Sequence, residues 1–258
     1  MELPNEGRLK AMTYTAPNGG AYPIYDKLLD QYHVLIAGQT RSGKSVTEKG
    51  LIYNLVNMYT PEEAEIYLID PKMVDLEPWR SLPHVRDYAD NPEDAVSLLE
   101  GVKDRMMERY AILKREGKDK WDGSHIYIFI DEMADILDDG GKEFMDILKK
   151  LLRLGAAARI HIIGLSQFAK KAAIPAMVID NFTCNVGLKM RDAVASRQII
   201  HRRGCEELKL GGHAIIAWES GDYEEVHFPM YTDAHYIAMR RYYSAQRFEI
   251  YKAQSEGR

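Results

Sequence analysis

Five short apolar runs rich in β-branched residues punctuate the chain, at residues 33–37, 66–69, 126–130, 160–165 and 214–218. Most lack apolar–polar alternation, as expected of strands covered on both faces in a parallel sheet. Helical patterns fill the intervals. One over residues 45–59 stops at Thr60 and Pro61, a long one over 92–115 follows Asn91 as its cap and closes before Gly117, and a third covers 142–154. Strands alternating with helices predict an α/β fold with a mostly parallel central sheet and helices on both faces. Ligands of such sheets bind beyond the carboxyl ends of the strands, so the residues just after each run come next.

The first run leads into GQTRSGKS, residues 38–45, which satisfies GxxxxGK[ST] between a strand and a helix. The nucleotide contacts expected are Gly38, Gln39, Thr40, Arg41, Ser42, Gly43, Lys44, Ser45 and Val46. Backbone N–H groups and the helix N-terminus cradle phosphates, Lys44 reaches the β- and γ-phosphates of ATP, and the Ser45 hydroxyl ligates Mg²⁺. The run IYIFIDE delivers Asp131 and Glu132 to a strand end. Beside a phosphate loop this reads as a Walker B element: Asp131 holds the magnesium, directly or through water, and Glu132 polarises the attacking water as general base. HIIGLSQ ends in Ser166 and Gln167, and Gln167 can report the γ-phosphate and help place the water. IYLIDPK leaves Asp70 and Lys72 on a turn stiffened by Pro71 near the nucleotide edge, with roles that charge alone does not assign.

Composition narrows the class. The chain has 258 residues and 46% hydrophobic content, enough for one large α/β domain with short appendages. A formal net charge of −5 argues against a broadly basic surface that coats nucleic acid, but not against DNA held by a few loops. Cys184 and Cys205 form no CxxC pair, so reduced thiols are expected rather than a disulfide framework or a zinc site. The first fifteen residues are polar, and no run approaches the ~20 apolar residues that span a bilayer. A soluble, cytoplasmic protein without direct membrane insertion is therefore expected.

Together, AGQTRSGKSV, LIDPKMVDLEPWRSLPHV, IFIDEMADIL, GAAARIHIIGLSQ and SRQIIHRRGCEELKLGGHAII resemble the motor domain of the FtsK/SpoIIIE DNA translocases. The resemblance runs from about residue 23 to 216. Between Gln167 and Gly212 the family pattern lies on this sequence without a gap, matching Asn181, Ser196, Arg197, Ile199, Gly204, Glu206, Leu208 and Gly212. Three departures accompany it. Arg41 stands where the family usually has glycine, GRAAGIH becomes GAAARIH, and a usual Thr-Arg pair becomes Cys184–Asn185.

The resemblance implies a RecA-like P-loop ATPase over residues 23–230, with an N-terminal extension over 1–22 and a helical tail over 231–258. Such motors assemble as a homo-oligomeric ring, usually a hexamer, on double-stranded DNA and move along it by hydrolysing ATP. Their active sites lie between subunits, where a neighbour's arginine stabilises phosphoryl charge; Arg153, Arg159 and Arg197 are the candidates, and Arg197 is favoured by its matched SR pair. Lys170 and Lys171, in FAKKAAIPA, are expected to grip the DNA backbone from a pore loop, a solvated loop being the alternative. The tail TDAHYIAMRRYYSAQRFEIYKAQ reads as a packing helix, or as one that binds DNA or a partner.

Family members that pump chromosomes commonly carry a membrane anchor and a winged-helix reader, neither of which is seen in this sequence. The expected setting is DNA transfer by a mobile element, with a relaxase or membrane channel protein as partner, or DNA segregation. The alternative is a nucleotide-controlled coupling or assembly platform for a secretion or conjugation channel, without translocation of its own. Arg41 closes its loop if its φ is negative, and is then expected to reach a ring neighbour or stack outside the nucleotide.

Overall fold

The computed structural model describes residues 14–15, 21–22, 24–167 and 174–229. Lys170, Lys171 and the tail expected over 231–258 lie outside the described residues. A two-stranded antiparallel ribbon pairs β1 (Tyr14–Thr15) with β2 (Ala21–Tyr22). The elements that follow are α1 (Ile24–Leu29), β3 (His33–Ala37), α2 (Lys44–Met58), β4 (Ala64–Ile69), β5 (Val85–Ala89), α3 (Pro92–Glu116) and β6 (His125–Ile130). Next come α4 (Met133–Asp139), α5 (Gly141–Leu154), β7 (Ile160–Ser166), α6 (Ala176–Ile179), β8 (Cys184–Leu188), α7 (Ala193–Ile200), β9 (His213–Ala217) and β10 (Tyr223–His227).

Strands β3 to β10 form one sheet in the order β10-β9-β8-β3-β7-β6-β4-β5. From β8 through β5 every neighbouring pair is parallel, whereas β9 and β10 add an antiparallel edge. Side chains alternate across each central strand, yet both sides are covered. Leu35 and Ala37 join one buried cluster with α3 and α5, while Val34 and Ile36 join a second with α1 and α2. That two-sided burial is why these strands read as continuous apolar runs.

The helices expected at 45–59, 92–115 and 142–154 are α2, α3 and α5. The cap of α3 is as read: the Asn91 side chain accepts the Asp94 N–H at 2.9 Å, and Gly117 ends the helix with φ of 64°. The β1–β2 ribbon and three strands of the eight-stranded sheet were not foreseen. VRDYA (β5) buries only Ala89 and YEEVH (β10) buries only Val226, because both are edge strands that need little apolar sequence. CNVGL (β8) is buried throughout, but its Asn and Gly mask it. The last expected strand, at 214–218, is shifted by one residue to His213–Ala217. Among the described residues, no helix is long and apolar enough to cross a membrane.

Candidate nucleotide site

The parallel strands β3, β7, β6 and β4 lie side by side and release their polar residues at one edge. Strand β7 separates the strand that feeds the phosphate loop from the strand that feeds Asp131 and Glu132. Gln167 therefore emerges between them. Its backbone N–H donates to Glu132 Oε1 at 2.8 Å, and its side-chain Oε1 accepts the Thr40 hydroxyl at 3.3 Å.

The loop is closed by contacts distant in sequence. Gly212 N donates to Ser42 O at 2.8 Å, and Gln39 N donates to Lys189 O at 2.9 Å. Gly43 has φ of 114°, and a Cβ there would lie 2.8 Å from Gly212 N, so glycine is required both by conformation and by the close approach. Lys44 is nearly buried, and its Nζ donates to Gly38 O at 3.0 Å. Burial lowers its pKa, against the pull of Glu132 and Asp131. Between the loop and Gly211, Gly212, His227 and Phe228 lies a cavity of about 540 Å³, with Thr40, Arg41 and Val46 on the loop side.

Arg41 departs from expectation. Its φ is 64°, not negative, so a long L side chain occupies the left-handed region at a cost of roughly 1 kcal/mol or more. The tight turn that returns Ser42 N to Gln39 O, 3.1 Å apart, sets this conformation. The Arg41 side chain is exposed at the cavity wall.

Asp131 is 7% exposed, and burial, followed by the nearby Asp75 and Asp70 charges, raises its pKa to about 6. Glu132 is more deeply held. Its Oε1 accepts from Gln167 N and, at 3.4 Å, from the Ser166 hydroxyl, while Lys72 Nζ lies 3.0 Å from Oε2. Its own φ of 50° is also left-handed.

Asp70 does not serve as an exposed charge. It is fully buried, and its Oδ2 accepts the N–H groups of Val74, Leu76 and Glu77 at 3.0, 2.9 and 3.2 Å. This carboxylate folds the segment after β4 into a hook from which Lys72 and Asp75 reach the site. Lys72 meets Glu132, and Asp75 Oδ2 accepts the Ser45 hydroxyl at 2.7 Å. Sequence reading missed Asp75; its spacing behind the DPK turn was the only signal. It also missed Glu48, one helical turn beyond Lys44, which is fully buried with no hydrogen bond to either carboxylate oxygen among the described residues. Burial first, then Asp131, Asp75 and Asp70, pushes its pKa well up.

The donor set suits magnesium. Among the described residues, no group of three or more His, Cys, Asp or Glu could hold a metal alone. Mg²⁺ is instead ordinarily held by one or two carboxylates together with substrate phosphates, and Ser45 and Asp131 beside the phosphate loop supply that kind of oxygen set.

The residues matched around 196–212 brace the cavity wall. The Ser196 hydroxyl donates to Arg202 O at 2.8 Å and accepts from Cys205 N, while Glu206 accepts from Gly204 N at 2.8 Å. These bonds hold the segment that brings Gly212 to the loop. Of the arginine candidates, Arg153 and Arg197 are exposed. Arg159 donates to Asp122 O and Gly123 O at 3.3 and 2.9 Å, beside the start of β7 and away from the phosphate loop. Cys184 and Cys205 are buried free thiols.

Comparison with known proteins places this geometry. A model of the FtsK/SpoIIIE family matches residues 15–220. The DNA translocase FtsK of Rickettsia prowazekii (strain Madrid E) is 26% identical over 272 residues, covering 89% of this chain and 37% of that protein. The DNA translocase FtsK of Staphylococcus epidermidis (strain ATCC 35984) is 29% identical over 206 residues, covering 72% of this chain and 26% of that protein. The chain thus spans about a third of these relatives' length. Among solved structures, the pCW3 conjugation coupling protein TcpA, with ATPγS, superposes with a TM-score of 0.72 at 20% identity, over 86% of this chain and 66% of that one. EssC from Geobacillus thermodenitrificans gives 0.73 at 18% identity, over 87% and 45%. These two likenesses establish the fold.

Proposed function

The chain belongs to the FtsK/SpoIIIE family, whose P-loop ATPase fold it carries, and we propose that it is an ATP-driven motor that encircles and translocates double-stranded DNA. The observation that carries this reading is the meeting of Gln167 with Glu132 beside the phosphate loop, joined by a 2.8 Å hydrogen bond. A site that only binds nucleotide has no need of a carboxylate aimed where water must be activated.

In this mechanism the backbone of residues 38–45 holds the phosphates and Lys44 exchanges its loop carbonyl for phosphate oxygens. Ser45 and Asp131 would hold magnesium, which would supply neutralisation of the phosphate charge. Glu132 accepts the proton of the attacking water, and Gln167 orients that water against the γ-phosphate. A neighbouring subunit in a hexameric ring contributes Arg197, which stabilises charge on the transferring phosphoryl group. Lys170 and Lys171 grip the DNA backbone without regard to sequence, so that six copies offset an acidic chain. Transfer of a mobile element's DNA, with a relaxase or channel protein as partner, is the setting we favour over segregation.

One experiment tests the reading: ATPase rate with and without long duplex DNA, together with solution mass in a nonhydrolysable ATP analogue. DNA-stimulated turnover by a ring-sized assembly is expected. A monomer in every condition without DNA stimulation rejects the motor, and nucleotide binding that ignores DNA identifies a coupling platform instead.

A further inference from the structure

The Ser45 hydroxyl has one proton to give, and in this structure it gives that proton to Asp75, not to the Walker B acid. The 2.7 Å bond joins the first turn of α2 to the hook after β4, thirty positions on in sequence. Asp75 is held there from two sides. The Asp70 carboxylate collects the amides of Val74 and Leu76, the residues flanking Asp75, and Leu76 is fully buried. On its other oxygen, Asp75 faces Lys49 Nζ at 3.9 Å, one turn along from Ser45 on the same face of α2.

Resting on the nucleotide-hydrolase reading above, we propose that Asp75 is a positioning residue for the divalent cation. By accepting the Ser45 O–H hydrogen bond it turns the lone pairs of Oγ outward as an oxygen donor, and it places a second carboxylate charge near Asp131. A hydroxyl free to rotate would spend part of its time pointing its proton at the cation. Residues that orient a metal-binding side chain in this way commonly change metal affinity 10- to 100-fold when removed. The carboxylate charge near the cation is thus divided between two acids, Asp131 delivered by β6 and Asp75 by the hook after β4.

The test is binding of a nonhydrolysable ATP analogue to the full chain across a Mg²⁺ titration and in EDTA. Wild type must bind in EDTA and gain affinity with Mg²⁺; absence of any nucleotide binding rejects the nucleotide-site reading itself. In Asp75→Ala, EDTA affinity should stay within about twofold of wild type while the Mg²⁺ midpoint rises at least tenfold. Asp75→Asn keeps an acceptor for the hydroxyl but not the charge, and should fall between the two. Adding Asp75→Ala to Ser45→Ala should cost less than the sum of the two single losses, because the orienting part of each acts through one bond while the Asp75 charge acts separately. An unchanged Mg²⁺ midpoint in Asp75→Ala overturns the proposal. So does an equal loss of affinity with and without Mg²⁺, which is what a collapsed loop would give; thermal melting and the Asp75→Asn variant guard against misfolding as its source.

Discussion

Lys72 Nζ sits 3.0 Å from Glu132 Oε2, while Gln167 N holds the other carboxylate oxygen at 2.8 Å. The acid expected to act as general base is therefore fixed from both sides, by a cation on one neighbouring strand end and an amide on another. The side chain of Glu132 is only 5% exposed, so these partners, more than water, meet its hydrogen-bonding needs.

Replacing the base separates binding from chemistry. Glu132→Gln keeps the shape and the Gln167 contact but cannot take a proton, so single-turnover hydrolysis should fall by about 100-fold or more with ATP affinity retained. Turnover at the wild-type rate would remove Glu132 from the mechanism.

Removing the cation is a milder change. Lys72→Ala leaves Glu132 without its ion pair, but Lys72 is 41% exposed, so water takes over part of the role. Turnover should drop roughly tenfold and stability by about 1 kcal/mol, with Lys72→Arg recovering most of both. A variant hydrolysing faster than wild type would show that Lys72 restrains Glu132 instead of supporting it.

Asp70 governs the hook through its contacts with Val74, Leu76 and Glu77. Asp70→Ala strands those amides beside a buried space and should cost about 2 to 4 kcal/mol in urea unfolding. If the hook positions both Lys72 and Asp75, the same variant loses turnover and Mg²⁺ sensitivity together.

Arg41→Gly relieves a left-handed φ of 64°. The gain is roughly 1 kcal/mol, partly offset by the extra freedom of glycine in the unfolded chain. The melting temperature should hold or rise and ATP affinity should persist; a collapse in affinity would show that the guanidinium holds phosphate.

Acid sensitivity should come from the far end of the sheet. His161 accepts or donates at 3.0 Å with His125 and contacts Gln31 O at 2.9 Å; burial drives the His161 pKa down to about 3 and the His125 pKa down to about 4. Both lie below the ordinary value of 6.5, so the unfolded chain binds more protons as pH falls. The stability present above pH 6.5 is then lost progressively as pH falls, down to about 4 for His125 and about 3 for His161. At pH 5 the His161 contribution is about 2 kcal/mol. Urea midpoints at pH 7.5 and 5 should differ less in His161→Gln than in wild type; an identical difference would clear His161.

What the sequence determined by itself is local. GxxxxGK[ST] between an apolar run and a helix defines the phosphate loop, because cradle and helix start are built from adjacent residues. IYIFIDE puts Asp131 and Glu132 at a strand end for the same reason, and the doubly covered apolar runs announce a parallel sheet. Tertiary structure decided the rest. That β7 lies between β3 and β6 follows from pairing among strands more than thirty residues apart, and only this order sets Gln167 against Glu132. Nothing in LIDPKMVD states that Asp70 will be spent on amides while Lys72 and Asp75 reach opposite ends of the site. The tight turn that gives Arg41 its positive φ is likewise braced against Gly212, some 170 positions later. Local patterns report which elements form; hydrogen bonds between elements decide which side chains meet, and the site depends on those meetings.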